Sequence, residues 1–449
     1  MPHFAHISAA PAQSLPTLGE VLETLTFRAG FNASVVVGGT TLLGVAAGIV
    51  GVFTLLRRRS LTSDALSHAT LPGVAGAFLA ASFLGLDAKS LPLLLAGATL
   101  TGALGVASIQ AMLRWTRLHE DAAIGIVLSV FFAVGVVLLS VVQKSAPAGS
   151  AGLATFIYGN AATLRIPDVV AMGGLTAAAM IGVVLFFKEL RLICFNDGFA
   201  RVDGWRVSLL DGVLLGLVLL VTVAGLQAVG LIMVVALLIV PAVSARLWTD
   251  RLGVLVLLAG GLGGLSGYAG SSISALLPNK PAGAVIVLTA GAIFVISLLF
   301  APSRGMLASS VRFARLRLRI SGDHLLEAAF DASAAHLSRQ TLRDVATQRG
   351  WAIGLRPLVT LSLAMQGLAK VRPHGLDITP KGAQRGQRVS RNHALWEQYL
   401  ISYADVAPNH VDWSVDQVEH VLSDELIAGL EARLLKRGVS VPLAQGPTR

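Results

Sequence analysis

Charge is what this sequence has least of. Asp, Glu, Lys and Arg make up 13% of its 449 residues, against about 25% in an average soluble domain, while apolar residues make up 54%. That scarcity excludes an ordinary water-soluble chain of this length. Cysteine is nearly absent: Cys194 stands alone, which excludes an internal disulfide and any metal site built from several thiolates. The phosphate-cradling pattern Gly-x-x-x-x-Gly-Lys-Ser/Thr is missing, so the chain is not expected to hydrolyse ATP itself. A secretory leader is not expected either. The first 20 residues have no basic start followed by an apolar core, and the first apolar span is expected to take over targeting.

What charge there is lies segregated. Residues up to about 300 form long apolar runs, and the last 140 or so have the mixture of a soluble domain. The reading is an all-α polytopic membrane protein of about nine transmembrane helices, followed by a soluble C-terminal winged-helix-like α(+β) domain. Runs near the ~20 residues that a span needs lie at 34–56, 62–84, 91–113, 122–142, 167–187, 207–226, 229–246, 252–273 and 282–301. The stretch 207–246 is too long for one helix and is split near Gln227; a short apolar piece at 151–160 reads as re-entrant or interfacial. The net charge of +10 mixes loop and tail charges and says little about nucleic acid.

Basic residues favour the cytoplasmic side of a membrane. One set of loops carries Arg57, Arg58, Arg59, Arg114, Arg117, Lys188, Arg191, Arg201, Arg206, Arg246 and Arg251; the other carries Arg28, Lys89, Lys144, Arg165 and Lys280. This places the N-terminus outside and the C-terminus in the cytoplasm. The expected division is an extracytoplasmic or interfacial segment at 1–30, a transmembrane domain at 31–302, a basic linker at 303–320, a cytoplasmic domain at 321–435 and a disordered tail at 436–449. Arg312, Arg315, Arg317 and Arg319 in the linker suit anionic lipid. Gly44, Gly48, Gly51, Gly97 and Gly102 read as close-packing positions between spans. The longest basic-side loop, Lys188 to Ser208, mixes charges and aromatics, and reads either as a solvated linker or as a short amphipathic helix that docks a cytoplasmic partner.

The stretch "SDALSHATLPG", Ser63 to Gly73, puts an acid and a histidine at the start of an apolar run. Four residues apart, Asp64 and His68 share one helix face. Counted from Arg59 at about 1.5 Å per residue they lie roughly 8 and 14 Å into the span. Ionisable groups at that depth usually face a bundle interior or a pathway. Carboxylate plus imidazole suits Mn²⁺, Zn²⁺ or Fe²⁺; two ligands are few for a tight site and suit a conduit. The competing reading is a helix-start acid and a hydrogen-bonded core histidine. Pro72 and Gly73 are placed to kink or loosen this helix.

This stretch, with "HEDAAIGIVLSVFFAVGVVLLS" (His119 to Ser140), "FIYGNAATL" (Phe156 to Leu164) and "VGLIMVVALLIVPAVSARLW" (Val229 to Trp248), resembles the permease subunit of zinc/manganese/iron ABC transporters over about residues 30–302. The resemblance implies that Asp64 and His68 coordinate the metal in the translocation path. It also implies a second permease chain (the same or different), two cytoplasmic ATPase subunits and an extracytoplasmic metal-binding protein in a bacterial cytoplasmic membrane. By position, the Lys188–Ser208 loop becomes the ATPase-coupling segment, with Glu189, Arg191, Phe195, Asp197 and Phe199 as its candidates.

From Gly322 onward, helix, turn, helix and a strand pair near Ala369–Ile378 read as a winged helix, with helices beyond. Asp416, Glu419 and His420 share one face, as do His393 and Glu397; such clusters suit divalent metals or are a solvated charged surface. "RNHALWEQYL" and "VEHVLSDEL" make residues 320–434 resemble the diphtheria toxin repressor class of iron- and manganese-dependent regulators. That resemblance implies metal ligands at His324, Glu327, His393, Glu397, Asp416, Glu419 and His420. Asp412 stands where some members have a further His, and His410 is two residues out of register. The candidate recognition helix, "PLVTLSLAMQGL" from Pro357, is poor in the polar groups that read base edges, which argues against DNA. Three functions follow: a metal-uptake permease with a regulatory tail, a membrane-tethered metal-responsive DNA-binding regulator, or a permease for a metal chelate or cobalamin. The Asp64/His68 pair favours the first over the third.

Overall fold

The computed structural model describes residues 31–87, 90–145, 166–226, 228–276, 281–351, 354–403 and 424–436, with a few positions between 19 and 26. The piece at 151–160, the ligand candidates Asp416, Glu419 and His420, and the tail beyond Lys436 lie outside the described residues. The chain divides into two compact units after Ala308.

The first unit is helical throughout its described length. The helices are α1 (Phe31–Leu56), α2 (Ser60–Phe83), α3 (Leu91–Trp115), α4 (Glu120–Ser145), α5 (Ile166–Leu185), the short α6 (Phe187–Phe195) and α7 (Asp197–Val202), α8 (Val207–Leu226), α9 (Leu231–Trp248), α10 (Leu252–Leu276) and α11 (Ala282–Phe300). Eight of them are long and apolar enough to cross a membrane, and α9 is a further apolar helix of 18 residues. An apolar medium offers no partner to a bare N–H or C=O, so apolar runs of this length must bond within themselves as helices. The expected split of 207–246 falls at Gly230, whose φ of 87° lies in the left-handed region and which opens α9. This is a polytopic membrane protein.

Its core joins α1, α5, α8, α9 and α10 through Leu43, Phe53, Val183, Leu214, Leu238 and Leu255, all buried. Small residues set the tightest crossing. A side chain added at Gly44, Gly48 or Gly267 would run into backbone carbonyls of the facing helix of the α1–α10 pair, so the two backbones meet directly. Gly51 meets α9 and Gly97 meets Gly73 in the same way, and at Gly102 the obstacle is Leu219. Helix α2 packs on α3, α4 and α8. It runs unbroken through Pro72, so that proline ends nothing.

The second unit begins within α12 (Met306–Asp331). The expected linker at 303–320 and the helix expected to start after Gly322-Asp323 are therefore one element. Gly322 is not a breaker: it lies under Leu363, where a Cβ would approach to 3.1 Å. Asp323 is not a cap but a buried partner of Arg385, at 2.6 Å. There follow β1 (His336–Ser338), α13 (Arg339–Gln348), α14 (Leu355–Met365), β2 (Ala369–Arg372), β3 (Gly375–Ile378), α15 (Pro380–Tyr403) and α16 (Asp424–Lys436). The sheet is antiparallel in the order β1–β3–β2, with Leu337 opposite Leu376 and Val371 on the other side of it. Ser338 caps α13 by accepting from the Thr341 amide at 3.1 Å. Leu325, Leu337, Leu342, Val359, Leu363 and Leu376 form the core. This is the winged-helix arrangement, with β1 as a strand that the residue pattern alone does not announce.

Candidate functional site

Asp64 and His68 occupy the second and third turns of α2. Asp64 Oδ1 lies 3.5 Å from His68 Nε2, and the carboxylate is the more exposed of the two, at 41% against 18%. The neighbours Ala65, Leu66, Ser67 and Ala69 are buried, so the pair forms the partly open strip of an otherwise packed helix. Phe132 of α4 stands edge-on to the imidazole, with ring centroids 4.9 Å apart. Ser67 and Thr70 return their hydroxyl hydrogens to the helix backbone. Nδ1 of His68 and the hydroxyls of Thr62 and Ser63 are buried with no hydrogen-bond partner among the described residues. A carboxylate and an imidazole one turn apart offer a divalent ion two donors from one helix.

The arginine triplet beside this strip does more than mark orientation. Arg57 grips Asp211 of α8 with two hydrogen bonds, at 3.0 and 3.2 Å. It also donates to the Ile193 carbonyl at 3.0 Å and pairs with Asp197 at 3.4 Å. Arg59, the residue before α2, reaches Asp211 at 3.1 Å and Glu120 at the start of α4 at 2.7 Å. Arg58 is exposed, at a φ of 60°. One carboxylate thus ties the end of α1, the start of α2 and the start of α8, and Arg57 extends the tie to α6 and α7. All these ends belong to the side on which the arginines concentrate. Asp211, only 6% exposed, escaped the sequence reading. Its signal was the same as that of Asp64: a lone acid just inside an apolar run.

The Lys188–Ser208 loop forms two short helices, α6 and α7, joined at Asn196, whose side chain accepts from the Phe199 amide at 2.9 Å. Its candidates separate into two groups. Arg191, Phe195 and Phe199 are exposed, and Val202 and Trp205 extend this apolar surface. Glu189 is turned in, with Oε2 buried and unpartnered among the described residues. Asp197 faces Arg57: its slight burial pushes the carboxyl pKa up, but the Arg57 charge outweighs this and holds it below the usual range.

In the second unit, α12 supplies His324 and Glu327 and α15 supplies His393. Glu327 lies 3.6 Å from the His324 ring and 3.3 Å from that of His393, with Arg349 at 3.9 Å. Burial pushes the Glu327 pKa up; the two imidazoles outweigh it and hold the carboxyl down at about 2. These residues and Glu397 line one cavity of about 310 Å³ with Asp331. The donor types suit a divalent ion. Among the described residues, however, no three His, Cys, Asp or Glu side chains are arranged to hold one.

The ABC 3 transport family model matches residues 31–301. The iron dependent repressor, metal binding and dimerisation domain matches residues 379–438. The chain is 38% identical to the manganese transport system membrane protein MntC of Bacillus subtilis over 377 residues, 84% of this chain and 86% of that protein. It is 44% identical to the zinc transport system membrane protein TroC of Treponema pallidum over 283 residues, 63% of this chain and 93% of that one. Its fold is similar to a solved structure, PsaBC from Streptococcus pneumoniae in complex with Fab, with a TM-score of 0.55 and 31% identity over 67% of this chain and 100% of that one. The match of more than half its length, over the bundle that carries Asp64 and His68, shows that the chain belongs to the ABC 3 transport family.

Proposed function

We propose that this chain is the membrane-spanning subunit of an importer that carries a divalent transition-metal ion, manganese, zinc or iron, into the cytoplasm. The observation that carries the reading is the Asp64–His68 pair, 3.5 Å apart on a partly open strip of a spanning helix. The relatives' names speak of manganese and zinc transport, and imidazole with carboxylate accepts either, as well as iron. Two protein donors on one helix leave most of the ion's coordination to water or to other groups, which suits an ion that must be released again. Asp64, the more exposed partner, meets the ion's charge, and the His68 imidazole replaces part of its water shell.

ATP hydrolysis is assigned to separate ATPase subunits docking on α6 and α7. Phe195, Phe199, Val202 and Trp205 offer them an apolar surface beside Arg191, and the Asp197–Arg57–Asp211 chain leads from there to α2. An extracytoplasmic metal-binding protein and a second permease chain complete the assembly in a bacterial cytoplasmic membrane, with the C-terminal domain in the cytoplasm. That domain is assigned metal sensing, on the strength of His324, Glu327, His393 and Glu397 around one cavity and the match to a metal binding and dimerisation domain; Asp416, Glu419 and His420 are its further candidates.

Uptake of radioactive manganese or zinc by cells carrying Asp64→Ala or His68→Ala tests the conduit. The expected outcome is loss of most uptake with the protein still in the membrane at normal abundance. Normal transport by both variants removes the assignment.

A further inference from the structure

The winged-helix surface carries a pattern that neither metal transport nor metal sensing uses. Arg339, Arg343, Arg356 and Arg372 line one cavity of about 320 Å³ between α13, the start of α14 and the wing, together with Pro357, Thr360 and Val371; no carboxylate lines it. Arg372 is paired with Asp377 at 2.9 Å. Arg339, Arg343 and Arg356 have no carboxylate partner among the described residues. Beside these positive charges α14 exposes a row of apolar side chains. Leu358, Leu361 and Met365 follow one helix face at 54%, 55% and 81% exposure, and Val371 on β2 adds to them at 57%.

A helix that reads DNA presents polar groups to base edges and leaves its arginines to phosphates. Here the arginines are present, but bulky apolar groups stand where the readers would be. An apolar row rimmed by arginines is the signature of a surface that enters the headgroup layer of an anionic bilayer. There, apolar side chains sink about 5–10 Å to the acyl boundary and basic ones take phosphates. The domain is joined in sequence to the last spanning helix, since α11 ends at Phe300 and α12 starts at Met306, so it is tethered to a membrane-embedded unit.

We propose that the α14–wing face is a membrane-surface site. Arg339, Arg343 and Arg356 bind the phosphates of anionic phospholipids, and Leu358, Leu361 and Met365 enter the headgroup layer. The site needs no choice of metal and no DNA.

Hydrogen–deuterium exchange of the full chain in nanodiscs tests this. In discs rich in phosphatidylglycerol, amides of residues 355–372 are expected to exchange roughly tenfold more slowly than in pure phosphatidylcholine discs. High salt should abolish the difference, and so should the combined Arg339→Gln, Arg343→Gln and Arg356→Gln variant. Amides of β3 report whether that variant is folded. If they lose protection, Leu361→Ser with Met365→Ser replaces it as the test, with the same loss expected. Equal exchange in the two lipids overturns the proposal. So does protection that persists in pure phosphatidylcholine, which would mean a protein covers the face. Protection in phosphatidylcholine discs brought on by inorganic phosphate or by duplex DNA also overturns it, in favour of a free-anion or a nucleic-acid site.

Discussion

Asp211 gathers much of the charge at one end of the bundle. It faces Arg57 and Arg59 at 3.0 and 3.1 Å, and all three side chains are largely buried. Removing one member of a buried ion group costs about 3 kcal/mol, because the others stay buried without compensation. Asp211→Asn is therefore expected to lower the thermal midpoint of the detergent-solubilised protein by several degrees. Arg57→Lys, which keeps the charge but loses the fork, should fall between; an unchanged midpoint in Asp211→Asn would contradict this account. Nearby, the Cys194 thiol is pushed from 9.0 up to about 11, first by burial, with Arg57 pulling it down and Asp211 adding to the rise. A raised thiol pKa favours the neutral form, and only the thiolate reacts. At pH 8 the native protein should therefore hold roughly a hundredfold less thiolate than an unperturbed thiol would. Maleimide labelling of native Cys194 is expected to keep accelerating with pH up to about 11. A rate already level at pH 9 would show that Arg57 dominates instead.

Among the elements, α1 and α10 make the most demanding contact. Gly44, Gly48, Gly263 and Gly267 let the two backbones touch, and a Cβ at Gly48 would strike the Ala259 carbonyl. Backbone cannot turn aside as a side chain can, so Gly48→Leu should force the helices apart, beyond the 1–3 kcal/mol or so of ordinary overpacking. The expected outcome is loss of monodisperse protein on size-exclusion chromatography, whereas Gly253→Ala, in open space on α10, should behave as wild type. Helix α12 shows how local signals can mislead. Gly-Asp resembles a helix start, yet close packing against Leu363 and an ion pair to Arg385 draw both residues into the middle of one helix.

At the scale of the whole molecule, two compact units share one chain, and only the first carries the proposed metal path. A chain ended after residue 305 retains every spanning helix. It is expected to support uptake, but uptake that cytosolic metal no longer slows. Transport assays at matched expression decide this, and unchanged inhibition by internal metal would remove the sensing role from the C-terminal domain.

The sequence by itself determined the elements and the candidate chemistry of the membrane part. Long apolar runs can only be spanning helices, and their ends were readable to within a few residues because charge and glycine mark where lipid stops. Asp64 and His68 were legible because an acid and an imidazole are conspicuous where polar groups are costly, and one helical turn is enough to pair them. What only the tertiary structure decided is which distant groups share a charge. Arg57 and Asp211 lie 154 positions apart, and no local period records such a pair. The packing of α1, α2 and α8 brings them together, turning an arginine triplet that looked like a mark of orientation into a link between the loop helices and α2. The same holds for the soluble domain. Its His and Glu donors were visible as spacings, but only the packing of α12 against α15 brings Glu327 within 3.6 Å of the His324 ring and 3.3 Å of the His393 ring.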